Sequence, residues 1–426
     1  MKIAILASGF LPVIDGVTVS GFYRLQKLSQ WGHEVLFFCP DYSALADIYP
    51  NWQDYTGNIF PGVRVVSLKS KTYFVDFERD FAWSSYRQVK QELANFQPDI
   101  IHVDEPERLF INFWRLPGIK FSRRHKIPCV GFFRTNFLEY LEDFFSLPKP
   151  LLAGLQWLLK KLIVFVYNSY DVTLVSSIIT KEKIIALGIK NSLYGNLLGF
   201  EAEKFDPNLR QDNFFTNQYG LEQIDNRVKL IFLGRLTPDK GWDFTLSLLP
   251  KLLQQIDKDK VAFLVVGDGE TKDEIAHKLA ELKTHFHLFG RIAPKAIPEL
   301  LANCDLHVTA SEKETRGLTI LEAFAAGIPV LAPRAGGVVE NIQDGINGYL
   351  YQPGDEDDFI EKLKLLVEDS TLRHHMGIKG RESIKEQYSW DNTIKNLVNI
   401  WQEQINSKKN TAVRRIVGWA KYSHSK

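Results

Sequence analysis

The chain is organised around one strand–loop–helix–strand unit that spans residues 305–340. A short apolar run over 305–309 predicts a strand, and helical periodicity follows over 317–327. A second apolar strand, 328–332, comes directly after it. Units of this kind build parallel α/β sheets, whose loops at the carboxyl ends of the strands form ligand crevices. The sequence therefore predicts a doubly wound α/β fold with a ligand above residues 314–318.

Two carboxylates frame this loop. Glu314 lies just before the predicted helix and Glu322 lies inside it. Between them, the backbone N–H groups around Gly317 and Leu318 are unpaired donors at a helix N-terminus, which bind phosphate oxygens. Carboxylates instead accept hydrogen bonds from hydroxyl groups. Acids on both sides of an anion site indicate a ligand with sugars flanking a diphosphate, and a nucleotide sugar has that layout.

This stretch resembles the E-x7-E signature of the retaining glycosyltransferases of family 4, which have the GT-B fold. The resemblance extends to four further motifs: GRLTPDKG at 234–241, VVGDGE at 265–270, LFGRI at 288–292 and GIPVLAPRAGG at 327–337. It spans nearly the whole chain and is weakest in the amino-terminal half. It implies two Rossmann-like, doubly wound parallel-sheet domains that face each other across a cleft.

The same resemblance implies roles for individual residues. Glu322 would hold the ribose of the donor and Glu314 the sugar hydroxyls, while Gly317 and Leu318 would give backbone donors to the phosphate. Arg316 stands where an aromatic residue is usual, which implies altered sugar recognition or a further cation. The residues that would shape the nucleotide pocket or border the base are Gly267, Gly269, Arg291 and Ile292.

The amino-terminal half alternates short apolar runs with helical segments, which predicts a second doubly wound sheet. Gly16 lies in the loop after the first strand, ahead of a helix predicted over 17–31. This loop lacks the G-x-G-x-x-G spacing of an NAD site. By resemblance Gly16 contacts the donor diphosphate, and an ordinary turn glycine is the alternative. Three residues at the end of a later strand, His102, Asp104 and Glu105, either face an acceptor or are solvated in a loop.

Arg134 lies in the run GFFRTNF, where the family usually has a histidine after the strand. That histidine is thought to meet the donor sugar and stabilise the transition state, so the sugar geometry or the activity differs here. An arginine can donate hydrogen bonds to a sugar hydroxyl or counter a phosphate charge, but it cannot act as a base. The alternative is an ordinary surface arginine.

A departing diphosphate gains negative charge, which proteins stabilise with a divalent metal or with fixed cations and backbone donors. Arg235 follows a strand and Lys240 lies near the next helix start, so both are expected to converge on the phosphates. The acidic run at 355–358 begins a helix, where acids act as a cap. We therefore expect no metal and no other cofactor.

With 426 residues, the chain suits two domains. We expect an acceptor domain over residues 1–200, completed by a helix over 388–407, a donor domain over 201–387, and a basic tail over 408–426. The formal net charge of +1 argues against nucleic acid binding by bulk electrostatics. Three scattered cysteines without metal-ligand spacing indicate reduced core residues of a cytoplasmic protein.

Two segments suit a membrane surface that the chain does not cross. The run over 151–170 is rich in leucine and aromatic residues but contains Lys160 and Lys161, so it is either buried in the core or faces lipid. The tail over 408–426 carries six Lys or Arg and no acid. It is either disordered or an amphipathic segment on an anionic membrane.

Together these features predict a retaining, metal-independent hexosyltransferase, peripheral on the cytoplasmic face of a membrane. The pattern resembles that of bacterial enzymes that make sulfoquinovosyl or digalactosyl diacylglycerol, and we favour transfer of galactose from a UDP-sugar to a glycerolipid. Sulfoquinovosyl transfer to diacylglycerol and a polysaccharide or soluble acceptor are alternatives. A further alternative is a nucleotide-sugar-binding protein that lost its activity with the histidine.

Overall fold

The computed structural model describes residues 1–14, 16–72, 79–134, 149–314 and 316–423, with only the backbone of 149–153, 155 and 411–423. The chain divides into two compact units. Unit 1 comprises Met1–Gly199 and Trp390–Lys426, and unit 2 comprises Phe200–Ser389. The end of the chain therefore returns to the unit in which the chain begins.

Unit 1 is a doubly wound α/β domain. Its strands in the described residues are β1 (Lys2–Leu6), β2 (Glu34–Pro40), β3 (Gly57–Phe60), β4 (Val63–Leu68), β5 (Ser70–Thr72), β6 (Arg79–Phe81), β7 (Ile100–Asp104), β8 (Cys129–Phe132), β9 (Val172–Val175) and β10 (Ser192–Tyr194). The main sheet has the order β10-β9-β8-β7-β1-β2-β4-β3, and β5 pairs with β6 separately. The main sheet is parallel except for β3 against β4. Its winding reverses between β1 and β7.

Unit 2 is a second doubly wound domain with a parallel sheet. Its strands are β11 (Val228–Leu233), β12 (Val261–Val266), β13 (His285–Gly290), β14 (Leu306–Val308), β15 (Val330–Pro333) and β16 (Gly348–Tyr351). They lie in the order β13-β12-β11-β14-β15-β16. The winding reverses between β11 and β14, and ligands of such sheets bind beyond the carboxyl ends of the strands at this point. The two sheets confirm the predicted fold class.

Helices connect these strands. Those described are α1 (Gly16–Gln30), α2 (Tyr86–Phe96), α3 (Pro106–Phe113), α4 (Ile119–His125), α5 (Lys149–Asn168), α6 (Ile178–Leu187), α7 (Phe214–Tyr219), α8 (Glu222–Asp225), α9 (Trp242–Gln255), α10 (Lys272–Glu281), α11 (Ile297–Ala302), α12 (Leu318–Ala325), α13 (Glu356–Glu368), α14 (Ser370–Gln387) and α15 (Trp390–Ser423). None of the described helices is long and apolar enough to span a membrane.

The sheet of unit 1 is covered on both faces. Successive residues of a strand point to opposite faces, so Ile3 and Ile5 pack in one apolar cluster, while Ala4 and Leu6 pack in another. Trp401 of α15 lies fully buried in the first cluster. The three cysteines are all buried and unpaired, as expected of core residues.

The last helix, α15, runs without a break from Trp390 to Ser423. The predicted boundary at 407/408 therefore does not coincide with a helix end. Lys408, the first residue of the predicted tail, forms an ion pair with Asp171 at 2.6 Å. The side chains after residue 410, on which the predicted amphipathic pattern depends, lie outside the described part of the chain.

Candidate functional site

The loops that follow β11 and β14 bring a lysine and a glutamate together. These strands are neighbours in the sheet, and the Lys240 ammonium donates a hydrogen bond to Glu314 Oε1 at 2.5 Å. The two side chains are 21% and 24% exposed, so solvent reaches both. A cation and a carboxylate thus meet at the carboxyl edge of the sheet, where the winding reverses.

Arg235 reaches the same edge from the beginning of the loop after β11. Its guanidinium is mostly exposed and pairs with Asp239 at 3.1 Å. Burial raises the pKa of Asp239, but the Thr237 hydroxyl and the Arg235 charge outweigh it and hold that pKa below its ordinary value. Arg235 and Lys240 therefore lie on one loop, each paired with a different carboxylate.

The loop before α12 is held by backbone contacts. Gly317, with φ of +60°, directly precedes the helix, and the Leu318 side chain is exposed. The Gly337 N–H donates to the Glu314 carbonyl at 2.6 Å. Gly336, with φ of +58°, passes so close that a Cβ there would lie 2.6 Å from the same carbonyl. Only glycine fits this approach. The first N–H groups of α12 have no acceptor within the helix, as at any helix N-terminus.

Glu322 lies on α12 and is partly buried. Among the described residues, its carboxylate takes part in no hydrogen bond or ion pair. Burial raises the pKa of Glu322 to about 7. A carboxylate in this position can accept hydrogen bonds from two hydroxyl groups of a ligand, which would offset its desolvation.

A buried histidine that the sequence reasoning missed supports the first turn of α12. His307 Nδ1 lies 3.1 Å from the Ile231 carbonyl, and Nε2 lies 3.2 Å from the Thr319 hydroxyl. Burial lowers the pKa of His307 to about 4, so the ring is neutral at pH 7. Nδ1–H then donates to the carbonyl and Nε2 accepts from Thr319. The signal that could have revealed His307 in the sequence is a histidine inside an otherwise apolar strand.

Arg316 is tied into the scaffold of unit 2. Its guanidinium donates to Glu340 at 2.6 Å and lies over the Tyr388 ring, 5.8 Å from the centroid. Its carbonyl accepts a hydrogen bond from the Asn341 amide at 2.6 Å. The guanidinium therefore forms an ion pair with Glu340. Altered sugar recognition and a further cation both stay predictions for Arg316.

The predicted nucleotide pocket lies at the same edge of the sheet, in the loops after β12 and β13. Gly267 has φ of +139°, and a Cβ there would lie 1.7 Å from the Gly234 carbonyl, so no other residue fits. Its N–H donates to the Gly290 carbonyl at 2.9 Å, which joins the two loops. Of the remaining candidates, Gly269 lies beside the Leu236 carbonyl. Arg291 is exposed and lies near Asp268, and Ile292 is partly exposed.

In unit 1, Gly16 is the first residue of α1 and is exposed. Among the described residues, nothing lies within 4 Å of a Cβ built at this position. Crowding by these residues therefore does not require glycine here. A requirement for glycine would indicate contact with a ligand.

Arg134, directly after β8, belongs to a buried charged cluster that we name the switch-point cluster: Arg24, His102, Asp104 and Arg134. Arg134 Nε donates to Asp104 Oδ1 at 3.3 Å, and Arg24 donates to both oxygens of the same carboxylate. Asp104 is 1% exposed. Solvation in a loop is therefore excluded for His102 and Asp104. Arg24 occupies a position on the buried face of α1, between Gly21 and Leu28, and that spacing was the signal that could have revealed it.

No group of three or more His, Cys, Asp or Glu side chains in the described part of the chain is arranged to hold a metal ion. The acidic run at 355–358 acts as the predicted cap. Asp355 accepts a hydrogen bond from the Asp358 N–H at 3.0 Å at the start of α13. Asp358 itself pairs with Lys362 at 2.6 Å.

Two family models match the chain. Residues 14–193 match the model "Glycosyltransferase Family 4", and residues 217–383 match the model "Glycosyl transferases group 1". Each match lies within one unit. Together they cover the whole sheet of unit 2 and most of the sheet of unit 1, of which β1 lies outside the match.

Curated relatives cover most of the chain. A sulfoquinovosyl transferase of Arabidopsis thaliana is 29% identical over 340 residues, which are 78% of this chain but only 62% of that protein. An alpha-monoglucosyldiacylglycerol synthase of Streptococcus pneumoniae is 25% identical, covering 88% of this chain and 80% of the relative. A GDP-mannose-dependent alpha-mannosyltransferase of Mycobacterium tuberculosis is 26% identical, covering 83% and 85%.

Solved structures share the fold. Anabaena HepE in complex with UDP superposes with a TM-score of 0.66 at 18% identity, covering 95% of this chain and all of that chain. Sucrose-phosphate synthase from Thermosynechococcus elongatus superposes with a TM-score of 0.67 at 16% identity, covering 95% and 99%.

Proposed function

Because this chain belongs to the glycosyltransferases of family 4, we propose that it transfers a hexose from a nucleotide-sugar donor to a membrane glycerolipid, with retention of the anomeric configuration. We further propose galactose as the sugar and UDP as its carrier. The observation that carries the glycosyltransferase proposal is the meeting of Lys240 and Glu314 beside the N-terminus of α12.

The donor would bind at the carboxyl edge of the unit 2 sheet. Lys240, Arg235 and the N–H groups at Gly317 and Leu318 are positive groups at this edge, and they suit a diphosphate. Glu314 and Glu322 lie on either side of these N–H groups and are hydrogen-bond acceptors for sugar and ribose hydroxyls. The arrangement supports a ligand that is anionic in the middle and hydroxylated at both ends.

These residues also suggest how the reaction proceeds. As the bond to the sugar breaks, charge grows on the diphosphate, and Lys240 and Arg235 stabilise that charge without a metal. Lys240 already donates to Glu314, so one ammonium can link the phosphate and the sugar-binding carboxylate. The acceptor oxygen then bonds to the anomeric carbon on the face from which the diphosphate departs, and the departing phosphate takes the proton of that hydroxyl. We assign no nucleophile of the protein.

The proposal of a lipid acceptor is supported by relatives and by a surface of unit 1. One relative is named a sulfoquinovosyl transferase, and another is named an alpha-monoglucosyldiacylglycerol synthase. The surface, which we name the α5 surface, combines apolar and basic exposed side chains of one helix: Trp157, Leu158, Lys160, Lys161 and Phe165. Lys161 lies over the Trp157 ring, 5.8 Å from its centroid. Aromatic residues beside lysines favour the headgroup region of an anionic membrane, and the enzyme would be peripheral on its cytoplasmic face.

The first test is product formation. Purified protein is incubated with UDP-, GDP- and ADP-sugars and vesicles of phosphatidylglycerol and diacylglycerol. We expect a new glycolipid from one donor, lost in Glu322→Ala and retained in Glu361→Ala, an exposed glutamate of α13 that serves as the matched control. Consumption of GDP-mannose in place of a UDP-sugar would contradict the assigned donor. Donor binding without transfer or hydrolysis would favour the binding protein.

The second test separates a lipid acceptor from a polysaccharide or soluble one. Vesicle flotation compares the wild type with Trp157→Gln/Phe165→Gln, and with Trp31→Gln, an exposed tryptophan after α1, as the matched control. We expect the double variant alone to lose binding to anionic vesicles. A chain ending at residue 407 tests the contribution of the last segment. No flotation of any form would refute the membrane acceptor and leave the donor proposal intact.

A further inference from the structure

The switch-point cluster lies where the winding of the unit 1 sheet reverses. β7 pairs with β1 on one side and with β8 on the other, so Asp104 and Arg134 are at adjacent carboxyl ends. Ligands of doubly wound sheets bind at such a point. The cluster therefore lies at the edge of unit 1 where a substrate is expected.

The hydrogen bonds of the cluster define the state of its histidine. The Trp401 indole can only donate, and its Nε1 lies 3.2 Å from His102 Nδ1. The indole contact makes His102 Nδ1 the acceptor, so Nε2 carries the proton and donates to Asp104 Oδ1 at 3.0 Å. Arg24 Nη1 lies 3.0 Å from the same nitrogen and donates to the Asp104 carboxylate instead. Burial lowers the pKa of His102 to about 4, so the ring is neutral at pH 7. His102 is a fixed donor to Asp104 rather than a proton carrier.

Asp104 is consequently held as a carboxylate. Burial alone would raise its pKa, but the guanidiniums of Arg134 and Arg24 hold the pKa well below its ordinary range. The neighbouring carboxylate Glu105 accepts a hydrogen bond from the Ser8 hydroxyl. The formal charges of Arg24 and Arg134 are balanced by those of Asp104 and Glu105.

Arg134 is fixed at several points. Its Nε donates to Asp104, its Nη2 donates to the Ser20 hydroxyl at 3.0 Å, and its guanidinium lies over the Phe132 ring, 4.6 Å from the centroid. The side chain is 11% exposed. Within the described part of the chain, Nη1 has no hydrogen-bond partner. The hydrogen bonds to Asp104 and Ser20 thus orient the guanidinium and leave Nη1 able to donate to a ligand.

We propose that Asp104 and Ser20 are positioning residues that hold Arg134 as an oriented hydrogen-bond donor to a hydroxyl-bearing substrate group. The balanced charges favour a neutral hydroxyl over an anion, because the nearby carboxylates already compensate the guanidinium. The inference rests on the proposed glycosyltransferase function and deepens it: it assigns the task of the residue that stands in place of the usual histidine. It also selects a neutral sugar or glycerol hydroxyl as the group recognised.

The test measures kcat and KM for transfer from UDP-galactose to vesicles of phosphatidylglycerol and diacylglycerol. We expect Asp104→Asn and Arg134→Gln each to lower kcat/KM about a hundredfold, the effect of a misplaced positioning group. The double variant should fall no further than Arg134→Gln, since Asp104 acts through Arg134. Arg134→Lys keeps the charge and loses the planar fork, so it should not restore activity.

Control variants distinguish the loss of Arg134 orientation from a loss of folded protein. Ser20→Ala removes the second hydrogen-bond partner of Arg134, and Ser20 is partly exposed. It therefore gives a second double-mutant cycle with Arg134→Gln, which can be used if Asp104→Asn does not fold. Asp171→Asn, at the opposite edge of the same sheet, is the matched control and should keep wild-type kcat/KM.

Additive losses in both cycles, or full activity of Arg134→Lys, would overturn the inference while the transferase function stands. A wild type that neither transfers sugar nor hydrolyses any donor would overturn the proposed function and the inference with it.

Discussion

Replacing Glu322 by glutamine is expected to stabilise the protein at pH 8 and to change its stability little at pH 5. Burial raises the pKa of Glu322 from an ordinary 4.5 to about 7. Between these values the folded protein holds a proton that the unfolded chain has lost. The free energy of unfolding contributed by this group therefore falls as pH rises through that window. Glutamine, which does not titrate, removes the loss.

The magnitude follows from the size of the shift. At about 1.4 kcal/mol per pKa unit, the full shift corresponds to roughly 3 kcal/mol. The side chain is partly exposed, and solvent screening lowers this to about 1–2 kcal/mol. In a unit of this size, that difference raises Tm by about 2–8 °C.

Calorimetric unfolding of the wild type, Glu322→Gln and the exposed control Glu361→Gln at pH 5 and pH 8 measures the effect. A Glu322→Gln difference that is the same at both pH values would refute the reasoning, because the raised pKa is its only source of pH dependence. The same variant should bind UDP about tenfold more weakly, since an amide replaces one carboxylate acceptor. A gain in stability would thus accompany a loss of donor binding, as is common for functional residues.

Three further results are expected. Lys240→Gln should lower kcat about a hundredfold, because it removes a fixed cation that stabilises growing charge; wild-type kcat would contradict this role. Gly267→Ala should lower the free energy of unfolding by about 2–4 kcal/mol in denaturant titrations, because its Cβ would lie 1.7 Å from the Gly234 carbonyl; an unchanged midpoint would contradict the close approach. Gly16→Ala should leave Tm unchanged, because the added methyl meets nothing within 4 Å, so lower activity in a stable variant would indicate ligand contact.

The fold was largely predictable because its strands are buried on both faces. Such strands appear as continuous apolar runs between helical segments, and β14 lies within the run predicted over 305–309. The starts of two helices were predicted to within one residue: α1 begins at Gly16 and α12 at Leu318. Local periodicity and turn residues carry this information. The same patterns locate the loop glycines, because the backbone segments that approach each other closely or need a positive φ lie just after strands.

The side-chain pairings of the site were not predictable in the same way. Arg24 and Asp104 are 80 residues apart, and Lys240 and Glu314 are 74 apart. Each pair meets because the order of strands in a sheet places two distant segments of the chain side by side. Periodicity identifies strands but does not give their order. For the same reason the pairing of Arg316 with Glu340 could not be foreseen. The ligand-binding roles of these residues remain predictions.

The burial of Trp401 also has a consequence for biosynthesis. Its ring packs in the same cluster as Ile3 and Ile5, yet translation reaches it only after all of unit 2. Unit 2 is continuous in the chain, so all of its residues leave the ribosome before α15 does. Domains commonly fold in the order of their synthesis. Here the domain whose synthesis starts first is completed last, and part of one face of its sheet stays uncovered until α15 has been synthesised.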